Sequence, residues 1–202
     1  QQEEEPASSA STDSASAATS FIIKENGDWT WDINSHSVSD LLTNFRWLEG
    51  SVQDLKPVTT KESSMLRLEA SEQPNLFVTH ASYKDVQIDY YLNMDDLNGE
   101  IELIHHLQDA DNYDFVSLNS EGIIRQGKIQ NGSVTIFDES TFEAEGELFV
   151  RVVGDGTHYR GYVNRDMKVH GHGNALQSGA AGIKLKGSGS VLISEMELTQ
   201  LN

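Results

Sequence analysis

The chain contains no cysteine, which removes both a disulfide framework and a thiolate zinc site from consideration. Basic residues are few: 14 Lys and Arg stand against 32 Asp and Glu, a formal charge of −18. Nucleic acid is held by a basic stripe that releases counterions from phosphate, and no such stripe exists here, so nucleic acid is excluded as a partner. The same charge repels an anionic membrane surface. No apolar run approaches the roughly 20 residues of a membrane-spanning segment. Proline is scarce too, at 3 residues against 16 glycines.

What is present is enough apolar material, 37% of the chain, to bury one core. Val, Ile, Thr, Tyr and Phe recur in short runs bounded by Gly, Asn, Asp and Ser, a composition that favours an all-β protein. Residues 1–20, QQEEEPASSASTDSASAATS, carry almost no large apolar side chain and cannot repay the entropy of ordering, so they read as an acidic tail ahead of one domain spanning 21–202. Such a start fits a secreted chain or bacterial lipoprotein, periplasmic or at the cell surface, whose signal and lipid-bearing Cys have been removed. A boundary inside a longer protein is the other reading.

Alternation of apolar and polar residues marks about a dozen short strands. Phe21 to Ile23 and Trp29 to Trp31 flank an Asn26-Gly27 hairpin signal, and Ser39 or Asp40 is placed to cap a single helical turn. Val86, Ile88, Tyr90 and Leu92 share one face, and Val150 and Val152 lie in a strongly apolar run from Glu147 to Val153; these faces are expected to be buried between two sheets. The stretch from Gly99 to Lys128 reads as a three-strand meander: Glu100 to Leu107, Tyr113 to Leu118, and Ile123 to Gln126. His170-Gly171-His172, with His158, is open to two readings, a flexible exposed loop or a transition-metal ligand set.

From Tyr83 to Leu201 the order of elements resembles the laminin-G-like and concanavalin A-like jelly rolls of bacterial secreted proteins. The resemblance rests on the Gln108-Asp109-Ala110-Asp111-Asn112-Tyr113 turn, Gly127-Lys128, the Val153-Gly154-Asp155-Gly156 hairpin, the Arg160, Tyr162, Asn164 strand and a closing strand from Val191 to Leu198. It implies an all-β, two-sheet antiparallel jelly-roll sandwich with carbohydrate held on a concave sheet or at the loop rim, in lectins, carbohydrate-binding modules and glycoside hydrolases.

On a regular strand Glu100, Glu102 and His106 share one face, while His105 faces the other way. Carbohydrate binding would then centre on Glu102 and His106, the latter at a position where relatives commonly carry Arg. Arg125, Arg160 and Tyr162 would join them if their strands are neighbours, since guanidinium groups and aromatic rings suit sugar hydroxyls and sugar faces. Glycoside hydrolysis is the alternative, with Glu100, Glu102 and His106 as catalytic groups; related jelly-roll hydrolases carry Glu-x-Asp-x-(x)-Glu, and Glu100-Ile101-Glu102-Leu103-Ile104-His105 lacks the third acid. A non-catalytic adhesion or protein-interaction module contacting partners through its rim loops is a third reading. Asp109, Asp111 and Asn112 offer oxygen ligands to calcium and are equally ordinary turn formers. Trp29 and Trp31 share a face that suits either a sugar platform or the core.

Overall fold

A computed structural model describes residues 21, 23–59, 63–174 and 177–201, so the tail assigned to residues 1–20 lies outside the described residues. The strands are, in chain order, β1 (Trp29–Asp32), β2 (Phe45–Glu49), β3 (Leu55–Thr59), β4 (Ser64–Glu69) and β5 (Asn75–Thr79). Next come β6 (Val86–Asn93), β7 (Asn98–Asp109), β8 (Asn112–Asn119), β9 (Ile123–Gln130) and β10 (Ser133–Thr141). The remainder are β11 (Glu147–Asp155), β12 (His158–Val163), β13 (Asp166–His172), β14 (Ala180–Ser188) and β15 (Ser190–Gln200). One helix, α1 (Val38–Asn44), interrupts them, and its capping box is formed by Ser37 and Asp40 rather than by Ser39: the Ser37 hydroxyl accepts from the Asp40 amide and the Asp40 carboxylate accepts from the Ser37 amide.

Two antiparallel sheets result. Sheet I runs β13-β12-β11-β6-β15-β4-β3, with β1 also lying against β15. Sheet II runs β10-β9-β8-β7-β14-β5-β2, so the expected meander of β7, β8 and β9 is extended by β10, and β14 returns to the other side of β7. The inward faces meet in one apolar core that takes Ile101, Leu103, Val116, Leu118 and Ile124 from sheet II. Opposite them sit Val86, Ile88, Tyr90, Val150 and Val152, each 2% exposed or less, as the alternation requires. Trp29 and Trp31 belong to this core: their indole N–H groups donate to the Tyr83 hydroxyl and the Ser37 carbonyl.

Two expectations are corrected. Among the described residues, Phe21 and Ile23 lie outside the strands, and residue 22 is not described. β1 pairs with β15 instead of folding back on them, while Phe21 packs its ring 5.3 Å from that of Trp29. The segment around His170-Gly171-His172 is strand β13 and not a loop. Its glycine serves packing, because a Cβ at Gly171 would stand 3.1 Å from the Phe137 side chain.

Candidate functional site

Strand β7 is regular as far as Ile104 and then bulges. Ile104 pairs with Gly182 and Leu107 with Ala180, so His105 and His106 together oppose Ala181. His106 takes a positive φ of 56°. The consequence is a correction to strict alternation: His106 does not share the face of Glu102, and the two imidazoles turn to the same side, with their Nδ1 atoms 2.5 Å apart. Gly154 on β11 makes the room, since a Cβ there would lie 2.6 Å from His106 Cε1 and 2.7 Å from His105 Nδ1.

The proton positions follow from the partners. The Lys84 carbonyl can only accept, so His106 Nε2 carries the hydrogen that it donates to that oxygen. A neutral His106 ring then presents Nδ1 as an acceptor, which receives the Nδ1 hydrogen of His105. His105 Nε2 is left as a bare acceptor, enclosed in the protein without a protein donor. Burial pushes the pKa of both rings down, that of His105 well below the ordinary value, so the pair is uncharged at neutral pH.

His106 opens onto a cavity of about 670 Å³ at one end of the sandwich. The β7–β8 turn contributes Gln108 and Asn112, β8 contributes Tyr113 and Asp114, β9 contributes Lys128 and Gln130, and Phe137, Tyr159 and Asn174 close the far side. The Phe137 and Tyr159 rings are stacked 5.7 Å apart, and the Tyr159 hydroxyl donates to the Asn174 carbonyl at 2.6 Å. Asp114 is 8% exposed, and burial lifts its pKa to about 6 against the smaller opposing pull of Lys128. Burial, then the Asp114 charge, pushes Tyr159 up to about 12. Convergent amides, an ammonium, a carboxylate with a raised pKa and aromatic faces make a wall that can bind a polyhydroxylated ligand.

The other expected site residues lie elsewhere. Glu100, Glu102 and Arg125 are on the outer face of sheet II, where Lys184, Glu102, Ser117, Arg125 and Glu139 form one cross-strand row. The Tyr113 hydroxyl donates to Glu102 at 2.6 Å and accepts from Lys184 Nζ at 2.9 Å. Burial raises the Glu102 pKa, opposed by that hydrogen bond and by Lys184, and with Glu100 and Pro74 it lines a hollow of about 220 Å³. Arg125 is bound to Glu139 at 2.6 Å. Arg160 and Tyr162 face outward on sheet I instead. They border a separate groove of about 630 Å³ that also holds Tyr91, Phe149 and the bidentate Arg151–Asp89 pair. The five residues expected to form one carbohydrate site are therefore divided among three places.

No family model matches the chain, and no curated protein matches it. Solved structures do. The carbohydrate binding module CBM66 from Bacillus subtilis superposes with a TM-score of 0.59 at 14% identity, covering 75% of this chain and 94% of that one. The Bacillus licheniformis beta-glucanase gives 0.65 at 8% identity, over 88% of this chain and 100% of its own. The exoplasmic/lumenal domain of VIP36, in a Ca2+/Man3GlcNAc-bound form, gives 0.55 at 13% identity, over 80% and 85%. The fold is a two-sheet antiparallel jelly-roll sandwich, the architecture of these structures.

Within this jelly roll the Asp109–Asn112 turn uses its own oxygens. Asp109 Oδ1 accepts from the Asp111 amide and from Asn112 Nδ2, and Asn112 Oδ1 accepts from the Asn131 amide. Sequence reasoning missed Asp114, Lys128 and Tyr159. The signal was there for two of them: Asp114 precedes Val116 and Leu118, and Lys128 follows Ile124 and Gln126, on faces that otherwise point into the core. A charge on a core-facing row calls for a reason, and the cavity supplies it. Tyr159 is indistinguishable in sequence from any buried aromatic residue.

Proposed function

We propose that this jelly roll is a carbohydrate-binding module that takes a glycan in the cavity bounded by His106, Asp114, Lys128 and Tyr159. The observation that carries the reading is the convergence there of Gln108, Asn112, Asp114 and Lys128 beside the stacked Phe137 and Tyr159 rings. Sugar hydroxyls each donate and accept, and are matched by amides, carboxylates and ammonium groups; the apolar faces of pyranose rings are matched by aromatic ones. Similarity of fold to a protein named as a carbohydrate binding module and to a beta-glucanase supports the ligand class. An extracytoplasmic location accompanies this reading, because polysaccharides are met there.

A second reading has its own observation in its favour. Glu102 is a mostly buried carboxyl with a raised pKa, one strand step from Glu100, and positions two apart on a strand lie about 7 Å from each other, within the range that glycoside hydrolysis uses. Against it, Glu102 is the terminal acceptor of a hydrogen-bond relay from Lys184 through the Tyr113 hydroxyl, and the hollow in front, about 220 Å³, is small for a polysaccharide.

Calorimetric titration with a panel of oligosaccharides, with product release measured on the same mixtures, separates the two. The binding reading expects saturable binding without products, weakened about tenfold or more by Lys128→Ala and by Asn112→Ala, and unchanged by Glu102→Gln. Products that disappear in Glu102→Gln, or binding indifferent to both cavity variants, would overturn it.

A further inference from the structure

The outer face of sheet I carries a cluster of three imidazoles at the β12–β13 edge, away from the proposed glycan cavity. His158 and His172 are direct cross-strand partners, and His170 lies two positions before His172 on the same strand, opposite Arg160. Ring centroids are 4.7 Å apart for His158 and His172, 4.5 Å for His170 and His172, and 6.1 Å for His158 and His170. One nitrogen from each ring can be chosen so that all three lie within 4.8 Å of one another.

From this geometry we propose that His158, His170 and His172 form a binding site for a divalent transition-metal ion of the zinc class. Three imidazole nitrogens bonded at about 2.0–2.1 Å to a tetrahedral ion stand about 3.4 Å from each other. Closing from the observed separations requires movements of about an ångström, available to His158 and His172 because both side chains are exposed. His170 is the fixed member. Its backbone amide donates to Asp138 Oδ2 at 2.9 Å, which ties β13 to β10, and its Nε2 is shielded from solvent without a protein partner. Asp138 and Asp155, the strand partner of His158, set negative charge beside the cluster, opposing the positive charge of Arg160. Nitrogen-only ligation selects zinc, copper or nickel over calcium and magnesium, which require oxygen. Three ligands on an open sheet face leave at least one coordination position to solvent or to an anionic ligand.

The test uses the full chain without a histidine tag, stripped with a chelator. Zinc titrated calorimetrically should bind once per chain, with affinity reduced about tenfold or more in His158→Ala and in His172→Ala, neither of which removes a buried side chain. Cobalt substituted for zinc in the wild type should give the intense visible bands of a low-coordinate nitrogen site. Excess calcium or magnesium should not displace either ion. Equal zinc affinity in the double variant His158→Ala/His172→Ala would move the ion to surface carboxylates and overturn the site. So would one zinc per two chains, the weak spectrum of an all-oxygen octahedral cobalt, or no binding at about 1 mM zinc.

Discussion

At the scale of single residues, the paired histidines depend on what Gly154 lacks. Because a Cβ at Gly154 would stand 2.6 Å and 2.7 Å from atoms of the two imidazoles, Gly154→Ala should force the pair apart and cost about 1–3 kcal/mol in denaturant unfolding. Asp114 makes a prediction of opposite sign. Burial raises its folded pKa from 3.8 to about 6, so between these values the folded state binds more protons than the unfolded one. Stability from this group is therefore present at low pH and lost as pH rises through that window. Asp114→Asn, uncharged throughout, should be more stable than the wild type at pH 7, by on the order of 2 kcal/mol, with the difference shrinking toward zero at about pH 3.5. Unfolding of both proteins at the two pH values checks it, since every other titrating group is common to them; an equal offset at both would assign the effect to packing. Neither residue's role was legible in full. Asp114 was missed although a charge on a core-facing row was a signal in the sequence, whereas the inward turn of His106 follows from one unpaired position in β7, which strict period-two alternation cannot register.

At the scale of elements, local alternation served well wherever a strand keeps one face in the core. β6, β8, β11, β12 and β15 were all legible for that reason. It failed at β13, where Gly171 occupies a core-facing position and removes the apolar mark that a strand needs, and at β1, whose partner is the distant β15 rather than its neighbour in sequence. The two strands at the centre of sheet I carry a further consequence. Asp89 on β6 and Arg151 on β11 are register partners joined by bonds of 2.7 Å and 2.6 Å, with the Asp89 side chain 8% exposed and that of Arg151 36%. Removing the guanidinium strands a mostly buried carboxylate, but the open side of the pair lets water relieve it. Arg151→Gln should therefore cost about 1–3 kcal/mol, less than for a fully enclosed pair. Asp89→Asn in the same chain should recover part of that loss; a double-mutant cycle without coupling would show that the pair contributes nothing beyond its separate side chains.

At the scale of the whole molecule, the charge of −18 sets a balance that the ion pairs do not redress. Among the described residues, five pairs bring a cation within 4.0 Å of a carboxylate, and only that of Asp89 has a buried acid. Exposed pairs contribute about 0–1 kcal/mol each and lose little when screened. Repulsion among the remaining carboxylates acts over longer distances and is the larger electrostatic term, disfavouring the compact state. Screening shortens its reach from about 30 Å at 0.01 M salt to about 3 Å at 1 M. The melting temperature should therefore rise with sodium chloride across this range, most steeply at the low end where the Debye length still spans the domain. Potassium chloride should act alike, because screening depends on ionic strength and not on the ion. Scanning calorimetry in the two salts, with chelator present so that binding at the histidine cluster cannot contribute, makes the comparison. A melting temperature that falls with salt would mean that attraction within the paired charges outweighs repulsion among the rest, and the excess of acid would then have to be stabilised by contacts other than these five.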